Sequence, residues 1–371
     1  MIAMLNKTIL FIADHLKGGG AERILLEAAT LLAENNSVII ALLDSNDIRM
    51  EVPQNIRIIN LDINQKFMTG GLWRRGNRNL TQKEIEIINS HIKTLEPDLI
   101  ILTHCYAFHV LPYITGNIWL WVHYEIFNPV RQKVKNIFRW YKETRRLYHE
   151  LKYFPQLLDA KKVIFVNHDF QKICYDYIPL ATTKVIYNGV KINPDEILNP
   201  ETNIKKWDCI FVGRLSSEKQ PDYALIAFSK SNLKGRMAIV GDGRMMDELK
   251  YLANSLGIAD RVDFLGWQSD VKPYIKQSHV SLMTSNSEGY GLVISESLVL
   301  DTPVVAFNCS DGVSFQLESG ALSQGLVPPQ NMEKLIETIN NIYHSPYVIT
   351  QQDKDRLSIK RMISDFDELI N

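Results

Sequence analysis

A parallel sheet covered on both faces leaves a particular mark in a sequence. It shows as a short, wholly apolar run, then a turn, then a segment with helical spacing. This chain carries that mark most clearly between Val280 and Leu300. Val280 to Met283 is the apolar run, and Leu292 to Leu300 has the helical pattern. Between them stands Ser285-Asn286-Ser287-Glu288-Gly289-Tyr290-Gly291. Glycines at such a junction let backbone N–H groups approach a ligand closely, and the helix N-terminus behind them favours negative charge. Glu288 and Glu296 bracket the turn with seven residues between them. Glu296 falls about one turn into the helix, so it can face the same side as Glu288. Carboxylates offer only acceptors, which suits the hydroxyl donors of a sugar or ribose. One reading is a site that holds phosphates by backbone and hydroxyls by carboxylates. The other is an ordinary strand–turn–helix with surface glutamates.

At 371 residues the chain is too long for one typical domain, and two are expected. A 46% hydrophobic and 22% charged composition leaves room for sizeable cores. The net charge of −1 gives no global pull toward nucleic acid, so attraction to an anionic surface must be local. Cys105, Cys174, Cys209 and Cys309 lie far apart with no metal or redox spacing, and read as reduced thiols of a cytosolic protein. Met1 to Ala13 is broken by Lys7 and reads as a first strand rather than a signal peptide. No apolar run approaches the ~20 residues of a membrane span.

In the N-terminal half, Thr8 to Ala13 reads as a strand, followed by Gly18-Gly19-Gly20-Ala21-Glu22-Arg23 and a helical pattern. That is a phosphate-binding arrangement, or a plain tight turn. It lacks the G-x-G-x-x-G spacing and a convincing ribose-binding acid, so a nicotinamide dehydrogenase is the weaker reading. Further strands are expected at 38–43, 56–61, 98–103, 118–122 and 162–167, with a helix at 82–95. This alternation predicts a doubly wound parallel sheet. Residues 65–80 form a basic loop whose Arg74 and Arg75 either meet an acceptor or are merely solvated. His123 ends the strand at 118–122, and Tyr124 and Glu125 follow it. His123 points toward a ligand at that edge or is a neutral core histidine; Glu125 is placed to meet an acceptor hydroxyl. His104, after the preceding strand, is a weaker candidate. From Arg131 to Lys152 basic residues interleave with Phe138, Trp140, Tyr141 and Tyr148. Such a helix lies on an anionic bilayer or packs its aromatics on the sheet.

In the C-terminal half, Asp208 to Val212 and 238–241 read as strands, and 261–267 as a strand with its exit loop. Trp267 either stacks on a base or covers the domain edge. Helices are expected at 244–256, 332–343 and 353–370. Two Asp-x-Asp triplets, at 353–355 and 365–367, read as solvated helix faces rather than metal ligands.

The stretch from Glu288 to Glu296 resembles the E-x7-E signature of retaining GT-B glycosyltransferases, specifically the GT4 group. Other segments resemble that family too. Lys184 to Val190 is similar to V-I-x-N-G-V, Gly213 to Lys219 to G-R-L-x-x-x-K, Val240 to Gly243 to V-G-D-G, and Arg261 to Gly266 to R-V-x-F-L-G. Asp301 to Val305 is similar to G-x-P-V-V, with Asp301 in place of glycine and Ser297 where alanine is usual; Asn308 to Gly325 departs further. The resemblance covers nearly the whole chain and is most specific from Lys184 to Ala306.

The resemblance implies an α/β chain with the GT-B fold, two Rossmann-like doubly wound domains facing across a cleft. Its domains would be 1–190 for the acceptor, a linker at 191–206, 207–345 for the nucleotide-sugar, and 346–371 crossing back to the first. It implies retaining, metal-independent transfer of a sugar from a nucleotide diphosphate, UDP foremost. The acceptor would be a glycan hydroxyl on a lipid-linked, lipopolysaccharide, capsule or O-antigen precursor. Arg214 and Lys219 would hold the diphosphate and act in catalysis with Glu288 and His123, the latter near the anomeric centre. Glu296 would bind the ribose, and Leu265 would line the base pocket. Glu288 and the backbone of Gly289, Tyr290, Gly291 and Leu292 would hold the sugar and leaving group. Gly19 and Gly20 would approach the diphosphate from the first domain. No cofactor, metal or nucleic acid is expected. A cytoplasmic bacterial enzyme, peripheral on the inner membrane through its basic helix, fits this picture. A non-catalytic partner subunit of a glycosyltransferase and a GT-B epimerase or phosphorylase are the alternatives.

Overall fold

The computed structural model describes residues 7–45, 48–63, 79–127, 137–192 and 204–370, with only some of the side chains between 137 and 150. The chain divides into two compact units, Met1–Tyr187 with Met362–Asn371, and Asn188–Arg361. Both are parallel sheets with helical crossovers.

The first unit contains β1 (Thr8–Ala13), α1 (Gly20–Leu32), β2 (Ser37–Leu42), β3 (Arg57–Asn60), α2 (Gln82–Leu95) and β4 (Leu99–Thr103). It continues with β5 (Ile118–Val122), α3 (Ile137–Leu158), β6 (Lys162–Phe165), α4 (His168–Tyr175) and β7 (Thr182–Val185). The strand order is β3-β2-β1-β4-β5-β6-β7. The central strands are apolar except at ends such as Thr8 and Thr103, because helices cover both faces: Phe11 pairs with Ile40 on one side and Ile101 on the other. The order reverses between β1 and β4, so the loops after those strands diverge and leave room at the carboxyl edge. Local signals set the helix ends. Thr81 and Glu84 form a reciprocal capping box at the start of α2.

The second unit contains β8 (Trp207–Val212), α5 (Pro221–Lys230), β9 (Met237–Val240), α6 (Met246–Ser255), β10 (Val262–Gly266), α7 (Lys272–Lys276) and β11 (Ser278–Met283). Then come α8 (Leu292–Val299), β12 (Val304–Phe307), α9 (Asp311–Leu317), β13 (Leu326–Val327), α10 (Met332–His344), α11 (Gln351–Leu357) and α12 (Ile359–Asp367). Its order, β10-β9-β8-β11-β12-β13, repeats the arrangement of the first unit and places its own reversal between β8 and β11. Two apolar clusters lie in this unit, a larger one with Phe211, Phe228, Ile294 and Phe307 among its buried members and a smaller one with Trp207, Ile210, Val240 and Ile275.

Two expectations change. The single helix expected over 353–370 is two helices, broken at Ser358, which has extended backbone (ψ 144°). Ser358 pairs in parallel with Val190; Val190 N–H donates to the Leu357 carbonyl, and Ile359 N–H to the Val190 carbonyl. Gly189 permits this approach, since a side chain there would meet the Ile359 backbone at 2.5 Å. After Arg361 the chain joins the first unit, where Phe366 packs edge-on against Trp121 with ring centroids 4.8 Å apart. Asp301 does take the left-handed conformation (φ 59°) that a glycine would fill, and its carboxylate pairs with the nearly buried Lys354 at 2.7 Å. Most of the expected linker (193–203) and the basic loop with Arg74 and Arg75 lie outside the described residues.

Candidate functional site

In the second unit, three loops converge at the carboxyl edge of β8, β9 and β10. Gly213 N–H donates to the Val240 carbonyl, Leu215 N–H to Asp242, and Gly241 N–H to Gly266. The loops touch so closely that a side chain at Gly241 would come within 2.0 Å of the Gly213 carbonyl oxygen. This fixes the backbone from which Arg214 and Lys219 project. Arg214 is exposed and, among the described residues, engages no partner. Lys219 reaches across to the next loop, where its Nζ lies 2.7 Å from Glu288 Oε1.

The turn after β11 is bound to the same loop. Asn286 N–H donates to the Glu218 carbonyl, Thr284 Oγ1 donates to the Gln220 carbonyl at 2.7 Å, and Ser285 Oγ donates to Glu288 Oε1 at 2.7 Å. Glu288 is therefore held by Lys219 and Ser285 together. Gly291 stands at the start of α8 with φ 81° and ψ 62°, a left-handed conformation that glycine adopts without strain. Gly289, Gly291 and Leu292 remain half-buried around this turn. Tyr290 does not: it is 3% exposed, its hydroxyl accepts from Ser295 Oγ, and burial raises its pKa. Glu296 is 3% exposed within α8, far more enclosed than Glu288. Leu265 is half-buried at the end of β10. Trp267 is 72% exposed.

The divergent segment after Asn308 proves to be part of this construction. Gly312 in α9 lies against the turn, where a side chain would meet the Gly289 carbonyl oxygen at 2.2 Å. Gln316 Nε2 donates to the Tyr290 carbonyl, and Arg356 closes the end of α9 by donating to the carbonyls of Phe315 and Gln316. Sequence reading missed Gln316, Gly312 and Ser285. A glycine in a segment too short to show periodicity was the one available signal.

In the first unit, Asp14 follows β1 and is buried. Its carboxylate accepts from the N–H groups of Tyr106 and Ala107 at 3.1 and 2.7 Å. The loop after β4 is thereby tied to the loop after β1. His123 ends β5 with its ring 4.2 Å from that of Trp121; burial, with His104 nearby, holds its pKa well below the ordinary value. Tyr124 and Glu125 are half-buried beside it. Gly19 and Gly20 are exposed at the start of α1, but the space next to Gly19 is filled by the Glu22 carboxylate, 2.5 Å from where a side chain would begin. The positive end of α1 thus already has a negative partner.

Among the described residues, no three His, Cys, Asp or Glu side chains gather to hold a metal ion. Asp353 instead caps α11 through Thr350, and Asp355 accepts from Gln351. No helix among them is long and apolar enough to cross a membrane.

Residues 195–360 match the family model described as Glycosyl transferases group 1. An uncharacterized glycosyltransferase of Haemophilus influenzae is 33% identical over 172 residues, 44% of this chain and 48% of that protein. The UDP-Gal:alpha-D-GlcNAc-diphosphoundecaprenol alpha-1,3-galactosyltransferase of Escherichia coli is 28% identical over 195 residues, 48% of each chain. The matched part is about half the length of these relatives. Among solved structures, Anabaena Alr3699/HepE in complex with UDP and glucose is similar over 98% of this chain and 99% of its own, with a TM-score of 0.72 at 21% identity.

Proposed function

We propose that this chain is a retaining, metal-independent glycosyltransferase that moves a sugar from a nucleoside diphosphate, UDP foremost, to a glycan hydroxyl. The observation that carries this reading is the Lys219–Glu288 contact at 2.7 Å, with Arg214 exposed on the same loop and a helix N-terminus behind the turn. A cation and a carboxylate side by side match a molecule in which phosphate and sugar hydroxyls are neighbours. Arg214 offers a fork of donors to phosphate oxygens, and Lys219 a compact charge. The bond between the anomeric carbon and the phosphate oxygen breaks, and that oxygen keeps the electron pair. Fixed cations stabilise the charge that develops there. The acceptor oxygen bonds to the anomeric carbon on the same face, and its proton passes to the leaving phosphate. Glu288 orients the sugar, and Glu296 is the candidate for the ribose hydroxyls. In the first unit, His123 is the candidate for the reacting sugar, with Tyr124 and Glu125 beside it for the acceptor.

Lipid-linked or lipopolysaccharide-type glycans are the proposed acceptors. The E. coli relative's name gives it a diphosphoundecaprenol-linked acceptor. Helix α3 exposes Tyr141 and Tyr148, and its sequence is rich in Lys and Arg, which suits the surface of an anionic bilayer. Sedimentation with phosphatidylglycerol vesicles should pull the protein down, with each removed basic residue weakening binding by about 1 kcal/mol. Equal binding to neutral vesicles contradicts this docking mode.

The test of the reaction is turnover of a UDP-sugar with and without EDTA. Lys219→Ala should lower turnover by about a hundredfold or more while the fold is retained. Unchanged turnover in that variant rejects the assignment.

A further inference from the structure

Three histidines form a row along the carboxyl edge of adjacent strands in the first unit. His15 follows β1, His104 follows β4 and His123 ends β5. The His15 and His104 rings stack at 6.1 Å between centroids, and those of His104 and His123 lie 6.2 Å apart. Each outer ring has a fixed neighbour. His15 Nδ1 lies 3.4 Å from the Glu22 carboxylate, and His123 rests on Trp121. The middle one is held by its backbone: His104 has φ 74°, a conformation rare outside glycine, and Asp14 clamps the two N–H groups that follow Cys105. A strained backbone locked by a buried carboxylate is a common mark of a residue kept for what its side chain does.

Among the described residues, both ring nitrogens of His104 and Nε2 of His123 are enclosed without a hydrogen-bond partner. Native interiors rarely leave such groups unmatched, and a bound molecule is a usual explanation. We propose that His104, with His15 beside it, is a subsite for the hydroxyls of an uncharged sugar ring belonging to the acceptor, next to the position at His123 proposed for the reacting sugar; this rests on the glycosyl-transfer reading above. A neutral imidazole offers one donor and one acceptor, and a hydroxyl offers the same pair, so a row of imidazoles matches vicinal hydroxyls. An anionic group would instead favour protonated rings. Burial opposes that here, lowering the His104 pKa to about 3 and the His123 pKa well below its ordinary value.

The experiment uses the full-length protein labelled with 15N-histidine. Methyl α-D-glucopyranoside, methyl α-D-galactopyranoside and inorganic phosphate are titrated separately, and UDP binding is followed in parallel. The expected result is that at least one methyl glycoside shifts the His104 ring resonances, not those of His123 alone, and that phosphate does not. His104→Gln should then weaken that glycoside about three- to tenfold, the loss of one to two hydrogen bonds. His15→Gln serves in its place where His104→Gln does not fold, which loss of the parent's circular-dichroism spectrum would reveal. Ring shifts caused by phosphate alone, or none with either glycoside in protein that binds UDP, overturn the subsite. Failure of UDP to bind counts separately, against the donor site in the second unit.

Discussion

At the scale of single residues, the site chemistry follows from which side chains are already satisfied. Lys219, Glu288 and Ser285 satisfy one another, whereas the ring nitrogens of His104 have no partner among the described residues. Lys219 and Glu288 were legible in the sequence because they sit at fixed positions within two short motifs; the role of Ser285 was not, since a serine in a turn carries no signal of its own. The histidine row was not, because His15, His104 and His123 come from three separate loops and meet only when β1, β4 and β5 pair. Their burial has a measurable consequence. An unfolded imidazole takes up a proton near pH 6.5, but folded His104 resists protonation until about pH 3. Below about pH 6.5 the unfolded chain therefore binds protons that the folded chain refuses. The contribution is fully present above that pH and is lost as pH falls toward the folded pKa, at up to ~1.4 kcal/mol per pH unit for one such histidine. Urea unfolding of the first unit should thus weaken between about pH 7 and 5, and His104→Gln should flatten that slope. Parallel slopes in parent and variant contradict the neutral, enclosed state of His104.

At the scale of elements, the long strands and helices announce themselves and the short ones do not. Mostly apolar runs located β1, β5, β8 and β11 to within two residues, since a strand covered on both faces has few polar positions to blur it. Helix α9 has seven residues and begins Asp311-Gly312, too short for a helical period to show. Its purpose is visible only in packing: it props the turn that holds Glu288. The break at Ser358 was likewise hidden, because the strand partner that extends it, Val190, is distant in sequence. Gly312→Ala tests the role of α9. Its added carbon would stand 2.2 Å from the Gly289 carbonyl oxygen, so either helix or turn must move. The variant should lose about 1–3 kcal/mol of stability and bind UDP-glucose more weakly than it binds UDP, because the displaced turn is the one proposed to hold the sugar. Equal losses for both ligands would place the turn's role at the nucleotide instead.

At the scale of the whole molecule, the chain is two versions of one architecture that carry different site chemistry. The second unit concentrates cations, a clamped carboxylate and a glycine-started helix, all suited to a nucleoside diphosphate. The first presents neutral imidazoles and a buried aspartate that fixes their loop, suited to uncharged hydroxyls. The alternation of strands and helices announced the doubled fold before any coordinates. The division of chemistry was legible only on the side where motif spacing is rigid. Calorimetric titration with UDP, GDP, ADP and dTDP in EDTA, on the parent and on Lys219→Ala, tests the assignment of the second unit most directly. The account predicts that the parent prefers UDP and that Lys219→Ala loses about tenfold or more of that affinity. Undiminished UDP binding by the variant, or no binding of any nucleotide by the parent, would contradict it.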